Sequence, residues 1–131
     1  RIGAIFSNKS NIERLKTPMW NLSSFDVEFL SARLQDKSFE KKGRKLHVKN
    51  KNELFEILKE SNLFTKIYKS DSNFFLTRSK RAKEIFEHLL KHKILVRTCG
   101  SFDFLDESYL RFAVKESYSH NKLREALNEL I

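Results

Sequence analysis

The chain has 131 residues, 40% hydrophobic and 33% charged, with 26 basic and 17 acidic side chains and a formal net charge of +9. That apolar content supports a packed core and excludes a disordered polyelectrolyte, and no apolar run approaches the roughly 18–20 residues that cross a bilayer. One cysteine, Cys99, excludes an internal disulfide framework, and no signal-peptide pattern opens the chain, so a soluble cytoplasmic protein is expected.

Arg1-Ile2-Gly3-Ala4-Ile5-Phe6 reads as a strand from its first residue. A chain that opens in mid-strand is expected to be part of something longer. Asn8 or Ser10 caps a short helix over Asn11 to Lys16, which Pro18 ends. Ser23 or Ser24 caps the next helix, with Phe25, Phe29, Ala32 and Leu34 as a rough apolar stripe. A long charged helix follows, from about Lys37 to Ser61. Phe39, Leu46, Leu54, Ile57 and Leu58 recur along it, while Gly43 and Asn50 weaken its middle. Such a helix often links two domains.

Leu63 to Lys69 and Asn73 to Thr77 read as a hairpin, or at least as two neighbouring strands, around Asp71-Ser72. Ser79 is expected to cap a helix whose face carries Ala82, Ile85, Phe86, Leu89 and Leu90. Ile94 to Arg97 is a strand, a loop with Gly100 follows, and Tyr109 to Val114 is another strand. Ser119 is expected to cap the last helix, which aligns Leu123, Ala126, Leu127, Leu130 and Ile131. Residues 63–131 therefore predict β-β-α-β-β-α, an α+β layer with helices on one face of a short, mostly antiparallel sheet.

There is no P-loop, no GxGxxG and no HExxH. His88 and His92 stand i, i+4 on a helix, but no acidic or cysteine partner is evident, so no metal site is expected. Cys99 has no identifiable base and reads as a small semi-buried residue. The one basic cluster, Lys41-Lys42-Gly43-Arg44-Lys45, lies in a helical pattern and reads as a solvated face or as a phosphate-backbone patch. Twelve phenylalanines beside basic residues leave open a small nucleic-acid-binding module, although no RNP-like motif falls on a predicted strand. Neither a nucleic-acid nor a membrane partner is expected.

The arginines are the unusual feature. Arg97 and Arg111 sit on predicted neighbouring strands on either side of one loop. Two guanidiniums held on adjacent strands make a fork pair for a carboxylate or phosphate. The alternative is that each pairs with a local acid, Asp103, Asp106 or Glu107.

The order of motifs resembles the C-terminal end of pyridoxal-phosphate enzymes of the class I/II aminotransferase family (fold type I), with histidinol-phosphate aminotransferases and threonine-phosphate decarboxylases closest in pattern. The resemblance rests on ILVRTCGSF from Ile94, YLRFAV from Tyr109, HNKLREAL from His120, SNFFLTR from Ser72, RIGAIFSNKSNIERL from Arg1 and PMWN from Pro18. Lys93 stands where the family's G-I-x-V-R strand begins with glycine.

The resemblance implies that residues 1–36 end the large cofactor domain, 37–62 form a linking helix and 63–131 the small C-terminal domain. It implies pyridoxal 5'-phosphate as cofactor, with Arg1 on its phosphate. It implies that Arg111, joined by Arg97, binds the acidic group of a small amino-acid-like or amine substrate. A homodimer is implied for the intact enzyme. The family's Schiff-base lysine precedes the position matched by Arg1, so this segment alone is expected neither to catalyse nor to hold the cofactor firmly. A domain that kept the fold and lost the chemistry is the remaining reading.

Overall fold

The structure, a computed structural model, describes residues 7–15 and 23–131. The strand expected over 1–6, Arg1 itself, Pro18 and the PMWN turn lie outside the described residues. The chain divides into two compact units, residues 1–39 and residues 40–131.

In the first unit, α1 spans Lys9–Arg14 and α2 spans Ser24–Gln35. Asn8 caps α1 by accepting from the Asn11 N–H. Ser23 caps α2 in a reciprocal box with Asp26, which satisfies two of the free amides at the helix start. The stripe expected on α2 is not a buried face: Phe25, Phe29 and Leu34 are exposed. Phe25 and Phe29 stack on one another instead, with ring centroids 6.5 Å apart.

The long helix forms as expected, as α3 over Lys37–Glu60. Its apolar stripe is used unevenly. Phe39 and Leu46 are exposed, whereas Leu54, Ile57 and Leu58 are fully buried. The charged first half therefore stays in water and the second half packs.

The second unit continues with β1 (Lys66–Ile67), β2 (Phe74–Arg78), α4 (Ala82–Lys91), β3 (Arg97–Thr98), β4 (Tyr109–Ala113) and α5 (Ser117–Asn128). The β-β-α-β-β-α order is the one the sequence predicts. The strands form one sheet in the order β1-β2-β4-β3, and every pair is antiparallel. Alternation sets its two faces. Phe75, Leu110 and Phe112 point into a core shared with Leu54, Ile57 and Leu58 of α3, Ile85 and Leu89 of α4, and Leu123 and Leu127 of α5. The opposite face, with Phe74, Leu76, Tyr109 and Arg111 half-buried, is left the more open of the two by the described residues.

Three local expectations need correction. Arg81, not Ser79, is the N-cap of α4. Ser79 is buried one step earlier, where its hydroxyl donates to the Leu63 carbonyl at 2.6 Å and accepts from the Arg81 amide. Ser119 does not cap α5, which starts at Ser117 behind Glu116. The strand expected from Ile94 is shorter, because Lys93 and Ile94 terminate α4. The Ile94 amide returns to the Leu89 carbonyl and the Lys93 amide to the Leu90 carbonyl, both at 2.9 Å. That is the double bond of a Schellman end, and Lys93 adopts the left-handed φ of 60° that it requires.

Candidate substrate-anion site

The register of β3 and β4 sets Arg97 directly opposite Arg111, with Thr98 opposite Leu110. Directly opposed residues share a face, with Cβ atoms about 5 Å apart. Leu110 and Phe112 fill the core, so Arg111 and its partner Arg97 belong to the open face. On the other side of Arg111 stands Leu76 of β2. The two side chains thus start from neighbouring positions, one on the edge strand β3 and one on β4 beside it.

Neither arginine takes part in an ion pair among the described residues. Two of the three acids considered as local partners, Asp106 and Glu107, are placed otherwise. Asp106 accepts from the amide and hydroxyl of Ser108, which hold its carboxyl below the usual carboxylate range. Glu107 folds over Gly100, where even a Cβ would collide with its carboxylate.

What the arginines touch is aromatic. The Arg111 Cζ lies 4.8 Å from the Phe74 ring centre and 6.0 Å from that of Phe102, and the Arg97 Cζ lies 5.4 Å from Phe102. Phe102 therefore serves both cations. It is brought there by a tight turn in which its amide donates to the Cys99 carbonyl at 3.0 Å. Ring faces attract guanidinium without neutralising it. The forks are oriented and remain able to bind an anion. Phe102 and Phe74 were not singled out as site residues in the sequence, although both stand inside the motifs that surround the arginines.

An open cleft of about 520 Å³ runs along this edge, with Arg97, Arg111, Thr98 and Ser101 among its walls. That volume suits a small metabolite. Cys99 lies beside it but is buried. Burial pushes its thiol up, against the opposing pull of Arg111 and Arg97, so it is not poised as a thiolate.

A second row crosses the same face. Arg78 is opposite Tyr109 and its Cζ lies 5.4 Å from that ring, while its Nε donates to the Ser108 hydroxyl. The Tyr68 hydroxyl donates to that of Tyr109 at 3.4 Å. The open face is therefore a set of cations laid on aromatic rings.

A family model described as aminotransferase class I and II matches residues 1–130 of the chain. The chain belongs to that family. It is 30% identical, over its full length, to a histidinol-phosphate aminotransferase of Methanocaldococcus jannaschii, and covers 36% of that protein. It is 28% identical over 99% of its length to an adenosylcobalamin biosynthesis bifunctional protein of Leptospira interrogans, and covers 16% of it. Among solved structures, a histidinol-phosphate aminotransferase from Clostridium acetobutylicum superposes with a TM-score of 0.69 at 26% identity, over 74% of this chain and 30% of that one. An L-threonine-O-3-phosphate decarboxylase from Porphyromonas gingivalis gives a TM-score of 0.52 at 25% identity, over 63% of this chain and 27% of that one. The chain thus spans about a third or less of these relatives.

Members of this aminotransferase family generally work with pyridoxal phosphate. The one residue here that the resemblance gives to the cofactor, Arg1, lies outside the described residues. The described face carries two guanidiniums with no ion-pair partner among the described residues, and no described residue is assigned to the cofactor.

Proposed function

We propose that the intact enzyme is a pyridoxal-phosphate-dependent aminotransferase of the histidinol-phosphate type, and that Arg97 and Arg111 grip the phosphate of its substrate. The observation that carries this is the direct opposition of two arginines with no acidic partner among the described residues. A monocarboxylate is satisfied by one fork. A phosphate monoester carries more charge and three terminal oxygens, and it rewards two. The relatives support the same chemistry, since two different activities among their names, histidinol-phosphate aminotransferase and threonine-phosphate decarboxylase, both include a phosphorylated substrate.

The residues divide the work simply. Arg97 and Arg111 bind and orient the phosphate, and Phe74 and Phe102 hold the guanidiniums in place. Fixing the phosphate positions the far end of the substrate for reaction. Pyridoxal phosphate, when bound, supplies the electron sink for the chemistry. In this reading residues 63–131 are the small domain, 37–62 the linking helix and 1–36 the end of the cofactor domain, in a homodimeric enzyme.

The test is to assay the intact protein with histidinol phosphate and with L-threonine O-3-phosphate. Amino transfer from histidinol phosphate supports the reading. Decarboxylation of threonine phosphate alone moves it to the decarboxylase branch. No turnover of either phosphorylated compound, with turnover of an unphosphorylated amino acid, sinks it.

A further inference from the structure

The second unit holds a cluster of metal-binding groups that has no part in the arginine site. His88 on α4 and His92, its C-cap residue, lie one turn apart, with ring centroids 4.6 Å apart. The residue after α5, Glu129, comes between them. Its Oε2 lies 3.1 Å from His92 Nε2 and 3.7 Å from His88 Nε2. One ligand atom from each of the three residues lies within 4.8 Å of the others.

A tetrahedral metal with bonds near 2.0–2.1 Å sets its ligand atoms about 3.3 Å apart. The His92 Nε2–Glu129 Oε2 contact is close to that spacing, and the three ligand atoms, all within 4.8 Å of one another, reach it by rotation of the side chains. The H-x-x-x-H spacing on a helix is itself the usual way one helix offers two imidazoles to one ion.

The groups around the cluster keep it in place. The Arg81 guanidinium donates to the Leu130 carbonyl at 3.1 Å, which ties the C-terminal turn to α4. Glu84, one turn before His88 on α4, is taken by Arg81 through two bonds of 2.8 Å. His88 Nε2 lies 2.8 Å from the Ala126 carbonyl. That carbonyl accepts the Nε2 proton, which leaves the Nδ1 lone pair of the same ring for an ion, the arrangement common around metal-binding histidines.

We propose that His88, His92 and Glu129 form a binding site for a divalent transition metal of the zinc class, which cross-links α4 to the C-terminal turn. Two imidazoles and a carboxylate suit zinc and disfavour magnesium and calcium, which take oxygen ligands. Three protein ligands leave a coordination position for water. The bound ion fixes the end of the chain to the small sheet's helical layer.

The experiment is zinc titration of the full-length protein by calorimetry after removal of metal with a chelator. His92→Gln and Glu129→Gln are the variants, because both side chains are partly exposed and either change is compatible with the fold. The proposal predicts one zinc ion per chain at this site. It predicts that each variant weakens binding by about tenfold or more, and that zinc raises the melting temperature of the wild type but of neither variant. Magnesium should give no matching signal. Zinc affinity unchanged in either variant, or no zinc uptake by the wild type, overturns the proposal.

Discussion

Arg97 stands directly opposite Arg111 across the antiparallel pair of β3 and β4, and both lie against the ring of Phe102. Like charges set opposite each other in a sheet repel, at a cost of about 0.2–1 kcal/mol. A bound anion relieves that repulsion and adds charge-assisted hydrogen bonds. Phosphate should therefore raise the melting temperature of the full-length protein more than chloride does at equal ionic strength. The Arg97→Ala, Arg111→Ala double variant should lose the difference. Thermal scans in matched salts make the comparison, and an equal phosphate effect in the variant would place the anion elsewhere.

Phe102 is a positioning residue in this scheme. Its ring is worth about 0.5–1 kcal/mol to a guanidinium at an exposed site. Phe102→Leu should raise KM for the phosphorylated substrate by about two- to fivefold and leave kcat almost unchanged. Steady-state kinetics of the intact enzyme read this out. A fall in kcat with KM unchanged would mean that the ring serves the chemistry and not the grip.

Lys93 tests the backbone. Its φ of 60° is a left-handed conformation that costs a side chain about 1 kcal/mol, and glycine adopts it freely. Lys93→Gly should stabilise the protein by up to about 1 kcal/mol, less the extra freedom that glycine gives the unfolded chain. Denaturant unfolding measures it, and a destabilised variant would refute the assigned end of α4.

Glu53 gives a pH dependence. Its carboxylate accepts from the Ser117 hydroxyl at 2.8 Å and faces the Nδ1 of buried His120 at 3.2 Å. The Lys115 amide donates to the other nitrogen, Nε2, which places the ring proton on the side of Glu53. Burial pushes the Glu53 carboxyl up, but the bonds from Ser117 and His120 and the charge of Arg124 outweigh it, so the net shift is below its ordinary 4.5. A carboxyl lowered in the folded state adds stability above its unfolded value and loses it as pH falls through the folded value. Glu53→Gln should therefore lower the melting temperature at pH 7, and the gap to wild type should narrow as pH falls below about 4.5. A gap constant across that range would remove Glu53 from the account.

The fold was legible where one physical signal dominated. The apolar spacing of α4 and α5, the alternation of β2 and β4 and the length of α3 all carried over into the structure. The cap assignments at Ser79 and Ser119 failed for one reason: each helix starts at a point set by a tertiary bond. Ser79 is taken by the Leu63 carbonyl, and Ser117 by Glu53. At the site, the two arginines were readable because guanidinium is out of place in a half-buried strand. Their facing register was not, since it depends on how the loop from Cys99 to Ser108 closes. Glu129 was missed as a companion of His88 and His92 because it lies 37 positions beyond His92 and only the packing of α5 on α4 joins them.

The central claim is that the arginine pair grips a phosphate, and comparing substrates with and without one tests it most directly. The measurement is kcat/KM of the intact enzyme for histidinol phosphate and for histidinol, in wild type and in Arg111→Ala. Loss of a bidentate, charge-assisted pair should lower kcat/KM for histidinol phosphate by about 100-fold or more. It should change that for histidinol by less than about threefold, because that substrate has no phosphate to lose. An equal loss on both substrates would contradict the account and show that Arg111 supports the fold or the chemistry, not the phosphate.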